Sequence, residues 1–390
     1  MHIELDKNAS DIISRLEACG FSAYAVGGCV RDALLGRAVS DTDVATSAGT
    51  GEVKKALSGV KVLDTGIKHG TVTAVIGGDR YEITTYRVES GYSDSRHPDS
   101  VTFVRDIVQD LARRDFTVNA MAYSPSRGFC DPFGGREDLN ALVIRAVGDP
   151  RARFTEDALR ILRALRFAAV LGFEIENETS RALRELAPNL KNVSAERILA
   201  ETEKLVCGTG AERIVNEYKD VISAAVPLNG DTRAFAKLPP FAEYRFACLL
   251  GPGAGNALRA LRSSALLAQT ADILANSKEL PRDTLGKKRF IAEAGRENAA
   301  RIAIYRRALY GEDAEKETER LISSGGCYSV KELEIDGNDL IRLGFSGEEV
   351  GRALHALLDR VLRGGTENEK NALCAAALRL QKIGVDNSAE

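Results

Sequence analysis

The sequence predicts an α+β chain: a mixed β-sheet domain up to about residue 145, then helices alone to the C-terminus. Three observations carry this. Short runs of alternating apolar residues crowd the first third of the chain. Gly77-Gly78-Asp79 separates two such runs in the manner of a hairpin turn. From Thr155 onward the strand signal nearly disappears, and Ala, Leu, Arg and Glu recur at helical spacing.

Taken in order, Asp11 to Ala18 reads as helix, Ala23 to Val26 as strand, Val30 to Leu35 as helix and Val53 to Leu57 as helix. Thr71 to Ile76 and Arg80 to Arg87 read as strands paired antiparallel through the glycine turn, and Leu142 to Arg145 as a further strand. Breaks at Pro188, Pro227-Leu228-Asn229-Gly230, Pro239-Pro240, Gly251-Pro252-Gly253 and Ser323-Ser324-Gly325-Gly326 mark loops or subdomain joints in the helical part.

At 390 residues the chain exceeds one compact core, so two or more domains are expected. No run approaches a membrane span and the N-terminus lacks the pattern of a signal peptide, so no membrane and a cytoplasmic location are expected. Seven cysteines are scattered without a Cys-x-x-Cys pair, which argues for reduced thiols and against zinc; most read as small buried hydrophobes. The net charge of -3 neither supports nor excludes RNA, because a sum hides local basic stripes. None of the four histidines is followed by Asp, so a His-Asp hydrolase module is not apparent. No protein partner is inferred.

Asp41 and Asp43, in Ser40-Asp41-Thr42-Asp43-Val44, are two apart, and on a strand such residues point to one side. Paired carboxylates suit divalent metal, and two-metal phosphoryl transfer holds ions roughly 3.5–4 Å apart. Glu82, on a strand of the same domain, is the candidate third acid, an exposed strand residue being the bland alternative. Hard oxygen ligands without nearby His or Cys favour Mg²⁺. Upstream, Gly27-Gly28 closes a strand and opens a helix carrying Arg31, where bare N–H groups could seat a triphosphate.

The run Leu111 to Met121 is helix-compatible and places Arg113 and Arg114 beside Asp115, with Asn119 about one turn later. Guanidinium forks suit phosphate oxygens or ribose hydroxyls, although a surface salt bridge accounts for Arg113 and Asp115 equally well. In Thr155 to Phe167, Asp157 and Arg160 are three apart and share a helix face. A carboxylate accepts from an exocyclic amine while a guanidinium donates to a ring nitrogen, a pattern that fits cytosine and adenine and rejects uracil and guanine. The alternative is an ordinary surface ion pair between Glu156 and Arg160.

Together these motifs, with Asp131-Pro132-Phe133-Gly134-Gly135 and Ser194-Ala195-Glu196-Arg197-Ile198, resemble the class II tRNA nucleotidyltransferases, the CCA-adding enzymes, to which bacterial poly(A) polymerase is related. The resemblance spans nearly the whole chain. It implies a nucleotidyltransferase-type sheet as head, residues 1–145, then a helical neck (146–208), body (209–310) and tRNA-binding tail (311–390). It implies that Asp41 and Asp43 bind metal with Glu82 as third catalytic acid, and that Gly28, Arg31, Arg114, Asp115 and Asn119 face ribose and triphosphate. Asp157 and Arg160 fall at the positions that template the incoming base, with Arg163 and Arg166 further along that helix. The expected substrates are CTP, ATP and tRNA lacking its 3′ CCA end.

By the same resemblance, Arg87 to Pro98 corresponds to the flexible loop needed for the final A, which argues against a CC-only enzyme. Ile335 to Ile341 and Phe345 to Arg352 resemble the tail, with Ser-Gly-Glu-Glu where relatives often carry Gly-Pro. A poly(A) polymerase or A-adding enzyme is the rival within this class. A non-catalytic RNA-binding protein on the same fold is the rival outside it.

Overall fold

The computed structural model describes residues 3–39, 41–91 and 100–386. Helix α1 (Lys7–Ala18) begins where Asp6 accepts the Ala9 N–H, and buries Ala9, Ile12, Ile13 and Leu16 from one face. Strand β1 (Ala23–Val26), helix α2 (Gly28–Leu34), strand β2 (Asp43–Thr46) and helix α3 (Thr50–Ala56) follow. Next come β3 (Lys61–Gly66), β4 (Thr71–Ile76), β5 (Asp79–Thr85), β6 (Arg87–Ser90), β7 (Ser100–Phe103) and helix α4 (Ile107–Ala112). β8 (Ala122–Ser124), β9 (Gly128–Cys130) and α5 (Gly135–Asn140) close this region.

Seven strands form one sheet in the order β3-β4-β5-β2-β1-β8-β9. β2 and β5 run parallel and the other neighbours antiparallel, so the sheet is mixed, as the sequence predicts. The β4–β5 hairpin turns at Gly77 and Gly78, both at positive φ, with Ile76 facing Asp79. That is the demand of a two-residue loop whose twist matches its strands. α4 covers one face of the sheet, where Ile107 and Leu111 pack with Val26, Ala45, Tyr86 and Ala122.

The expected strand Arg80 to Arg87 is split. β2 ends at Thr46, whose carbonyl takes the Tyr86 N–H at 2.8 Å, and beyond it the chain pairs as β6 with β7 in a separate ribbon. Much of the segment expected to be the flexible loop, residues 92–99, lies outside the described residues. The expectation for the cysteines also needs correction: Cys29 and Cys248 are buried, Cys19 is exposed and the other four are half-buried. Cys19 and Cys207 sit at the C-caps of helices, where one flank necessarily meets solvent.

The chain divides into two compact units, Met1–Leu228 with Ala260–Ser263, and Asn229–Arg259 with Ser264–Glu390. The main break falls inside Pro227-Leu228-Asn229-Gly230. Beyond the sheet, the first unit holds β10 (Val143–Ile144), α6 (Pro150–Glu156), α7 (Leu159–Leu171), β11 (Glu174–Ile175), α8 (Asn177–Leu186) and α9 (Ala195–Val206). β10 and β11 pair in parallel, and this is the last strand pairing among the described residues. α7 buries Leu159, Ile161, Leu162, Ala164, Leu165, Phe167, Ala168 and Ala169, leaving Arg160, Arg163 and Arg166 as one stripe at three-residue spacing.

The second unit is helical. Its C-terminal part packs Ile291, Leu321, Tyr328, Leu340, Phe345, Leu357 and Leu373 into one core. The helix Gly337–Arg342 starts with a capping box between Asp336 and Asp339. The helix Glu348–Leu362 starts at Gly347, and Glu349 accepts the Ser346 N–H, so the acids of Ser-Gly-Glu-Glu serve their own helix terminus. No helix among the described residues is long and apolar enough to cross a membrane.

Candidate active site

A cleft of about 560 Å³ opens where the β1–α2 turn and the start of β2 face the helices that follow the sheet. Gly27, Gly28 and Arg31 line it from the turn and α2, Asp43 from β2, and Arg113, Arg114, Asp115 and Asn119 from the segment after α4. Asp157, Leu159, Arg160, Arg163, Arg166 and Phe167 line it from the α6–α7 region, and Arg197 from α9. Seven arginines thus oppose three aspartates in a chain whose net charge is -3. The local basic stripe that the whole-chain sum hides is here.

The segment after α4 is not one helix. α4 ends at Ala112, Phe116 is extended and bridges Ala146, and Thr117–Asn119 makes a single tight turn. The Asp115 carboxylate forces the break by accepting the Phe116 N–H at 2.9 Å, a local bond that competes with helix. The break still gathers the expected residues. Asn119 donates to Asp115 at 3.1 Å and accepts from Arg31 at 2.6 Å, while Arg31 grips Asp32 through two bonds of 2.9 Å. Arg163 donates twice to the other Asp115 oxygen, at 2.8 and 2.6 Å. Burial works against the Asp115 charge, yet Arg163 and Asn119 hold its pKa down to about 2.

Arg114 is held only loosely. Its Nη1 reaches the Asn119 carbonyl only at 3.5 Å, its Nη2 lies 3.5 Å from Asp110, and its buried Nε has no hydrogen-bond partner. Burial pulls its pKa down, with Asp110 the largest counterweight. The guanidinium rests on the turn: a Cβ added to Gly27, at φ +79, would lie 2.8 Å from Nη1. A glycine is required there twice over, for conformation and for room.

Asp157 and Arg160 do not share a helix face as expected. Asp157 is extended at the joint between α6 and α7, where its carboxylate accepts the Leu159 N–H. Both side chains nevertheless line the cleft. Each is held by another residue: Arg197 donates to both Asp157 oxygens at 3.3 and 2.7 Å, and Arg160 is tied to Glu156 at 2.6 Å and to the Arg113 carbonyl at 3.2 Å. The Glu156–Arg160 pair thus exists, but it anchors a largely buried guanidinium rather than decorating the surface.

Arg31, Arg163 and Arg166 all pack on the Phe167 ring, at 5.2, 5.4 and 4.0 Å from its centroid. Arg166 also lies 3.0 Å from Glu201, too poorly aligned for a hydrogen bond. Phe167 and Arg197 were not singled out from sequence. Phe167 reads as core, and Arg197 lies in a motif whose spacing assigns it no partner.

The three acids are partly brought together. Thr42 is buried between exposed Asp41 and Asp43, so the two carboxylates project to one side. The parallel register Val44 to Ile83 sets Glu82 on the rung beside Asp43. Although Asp43 keeps contact with solvent, the protein crowding its carboxyl displaces part of its hydration and pushes its pKa above the ordinary value, followed by repulsion from Glu82 and Asp41, with Arg114 opposing. Asp43 lines the cleft, whereas Asp41 lines a neighbouring hollow with Glu4, Asp6 and Asp79. Among the described residues no three His, Cys, Asp or Glu side chains close around a single metal position. The donor set nonetheless fits a divalent cation, since hard oxygens are offered from one side, their mutual repulsion would be relieved by positive charge, and such ions commonly use one or two carboxylates plus phosphate.

The poly A polymerase head domain matches residues 23–145, and the "Probable RNA and SrmB- binding site of polymerase A" matches residues 172–220. The CCA-adding enzyme of Leuconostoc mesenteroides is 53% identical over 206 residues, about half of each chain. That of Limosilactobacillus fermentum is 36% identical over 96% of this chain and 97% of its own, and that of Geobacillus kaustophilus 37% identical over 95% and 96%. The crystal structure of the Bacillus stearothermophilus CCA-adding enzyme in complex with CTP superposes with a TM-score of 0.84 at 35% identity, covering 97% of this chain and 98% of the other. The cleft, the mixed sheet and these near full-length likenesses agree: the chain belongs to the class II tRNA nucleotidyltransferases, the family of the CCA-adding enzymes.

Proposed function

We propose that this chain adds C, C and A from CTP and ATP to the 3′ end of tRNA lacking them. In each cycle the terminal 3′ hydroxyl oxygen attacks the α-phosphorus and gives up its proton to solvent, the bond from that phosphorus to the β-bridging oxygen breaks, and pyrophosphate leaves. The observation that carries this reading is Arg114, a half-buried cation whose Nη groups meet protein partners only at 3.5 Å and which lines the cleft with the Gly27-Gly28 turn and Asp43. Guanidinium donors that the protein does not use are available to a triphosphate.

Arg31, Asn119, Asp115 and Arg163 support one another and are assigned to the sugar and phosphate side. Asp157 and Arg160 are assigned to the base, with Arg166 behind them. Asp41 and Asp43 would hold the metal, which we take to be Mg²⁺, and Glu82 is the third acid. Bound there, the ion would supply charge stabilisation and lower the pKa of the attacking hydroxyl. The division into head 1–145, neck 146–208, body 209–310 and tail 311–390 is also proposed, supported by the passage from sheet to helix. So is a cytoplasmic location, where tRNA and nucleoside triphosphates meet.

The decisive experiment incubates the protein with tRNA ending before, within and after CCA, with each labelled nucleotide in turn. Addition should stop at CCA and draw on CTP and ATP only. Long A tails would assign a poly(A) polymerase, and strong UTP incorporation would reject the base assignment.

A further inference from the structure

Asp110, at the end of α4, is 1% exposed and belongs to none of the motifs that suggested the site. Its Oδ1 accepts from Arg113 Nε at 3.0 Å, from Arg113 Nη2 at 2.8 Å and from the Arg87 backbone N–H at 3.3 Å. Its Oδ2 has no hydrogen-bond partner and faces Arg114 Nη2 at 3.5 Å. Arg113 in turn donates to Glu89 at 3.1 Å, and Glu89 accepts from Arg87 at 2.8 Å. One buried carboxylate is therefore divided between the ribbon of β6 and β7 on one side and Arg114, a loosely held cation of the cleft, on the other.

We infer that Asp110 is a positioning residue for nucleotide binding: it draws the Arg114 guanidinium back against Gly27, and so keeps it from pairing with Asp43. Arg114 is drawn by two carboxylates, Asp110 at 3.5 Å and Asp43, with which it lines the cleft, and charge attraction in a poorly solvated site is strong. With Asp110 neutral, the balance tips forward. Arg114 then closes on Asp43, occupying at once the donors meant for phosphate and an oxygen meant for metal. The 3.5 Å spacing is what this role requires, since a tight pair with Asp110 would consume the same donors. Through Arg113 and Glu89, the position of Arg114 also depends on the ribbon.

The inference rests on the assignment of Arg114 to the triphosphate, and the test separates the two. CTP binding to the full chain without tRNA is measured by calorimetry for wild type, Asp110→Asn, Arg114→Gln and the double variant, with thermal unfolding alongside. Asp110→Asn should weaken CTP binding about tenfold in the wild-type background and less than about twofold when Arg114 is already replaced. Glu89→Gln, which removes the charge of Arg113's second partner and so tilts Arg113 towards Asp110, should weaken binding in the same direction and by less. If Arg114→Gln binds CTP as well as wild type, the assignment of Arg114 falls. If Arg114→Gln weakens binding but Asp110→Asn does not, or Asp110→Asn costs the same in both backgrounds, the positioning role is overturned. A merely structural Asp110 would lower the melting temperature equally in both backgrounds without this dependence on Arg114.

Discussion

Asp115 and Arg163 are joined by two hydrogen bonds of 2.8 and 2.6 Å to a single carboxylate oxygen, pinning the segment after α4 to helix α7. Arg163→Met removes the cation and leaves a buried carboxylate with only Asn119 and the Phe116 N–H. We expect a loss of about 3 kcal/mol near neutral pH. The folded-state pKa of Asp115 is depressed, so the contribution is complete above its ordinary value of 3.8 and is lost as pH falls towards about 2. Urea unfolding across that window should show the two proteins converging in stability. A constant difference would mean that charge is not the cause.

The Asp43 carboxyl should respond in opposite directions to its two neighbours. Glu82→Gln removes a like charge and should lower the Asp43 pKa, whereas Arg114→Gln removes an opposing cation and should raise it. Carbon-detected NMR of the carboxyl would report both shifts. If neither variant moves it, the three acids do not share a site.

Gly27→Ala combines backbone strain at φ +79 with a methyl group 2.8 Å from Arg114 Nη1. It should cost about 1–2 kcal/mol of stability and should also weaken CTP binding. Gly20→Ala is the control, because Gly20 shares the conformation at φ +87 and has nothing within 4 Å. Equal CTP affinity in the two variants would count against contact between Arg114 and the nucleotide.

Arg197→Met should free Asp157 while leaving Arg160 tied to Glu156. The expected result is a shift in the ratio of CTP to ATP use larger than the change in total incorporation, followed with labelled nucleotides. Asp157→Ala should go further and admit UTP or GTP. Uniform loss with all four nucleotides would make Asp157 structural.

The turns and periodicities were readable in sequence where the cause is local. Gly77-Gly78 specifies its hairpin, and the arginine stripe of α7 shows as three-residue spacing in an apolar run. What sequence hid was set by partners distant along the chain. Tyr86 leaves the sheet because β2 stops at Thr46, and Asp157 leaves the helix at a joint fixed by Arg197, forty residues on. Asp115 was selected for its neighbours in sequence, yet its charge is governed by Arg163 on another helix. Asp110 carries no local signal at all, since nothing in Asp110-Leu111-Ala112-Arg113 announces that its carboxylate is buried and shared.

Phe167 governs how closely the cations of the cleft can crowd. Three guanidinium groups gather over its ring, and although each has a carboxylate partner, Asp32 for Arg31, Asp115 for Arg163 and Glu201 for Arg166, the ring attracts all three through its quadrupole and carries no net charge. The ring therefore lets three like charges stand side by side while taking up none of their N–H donors. Removing the aromatic face would leave the same charges and the same carboxylates, but without the surface that keeps the three side chains together.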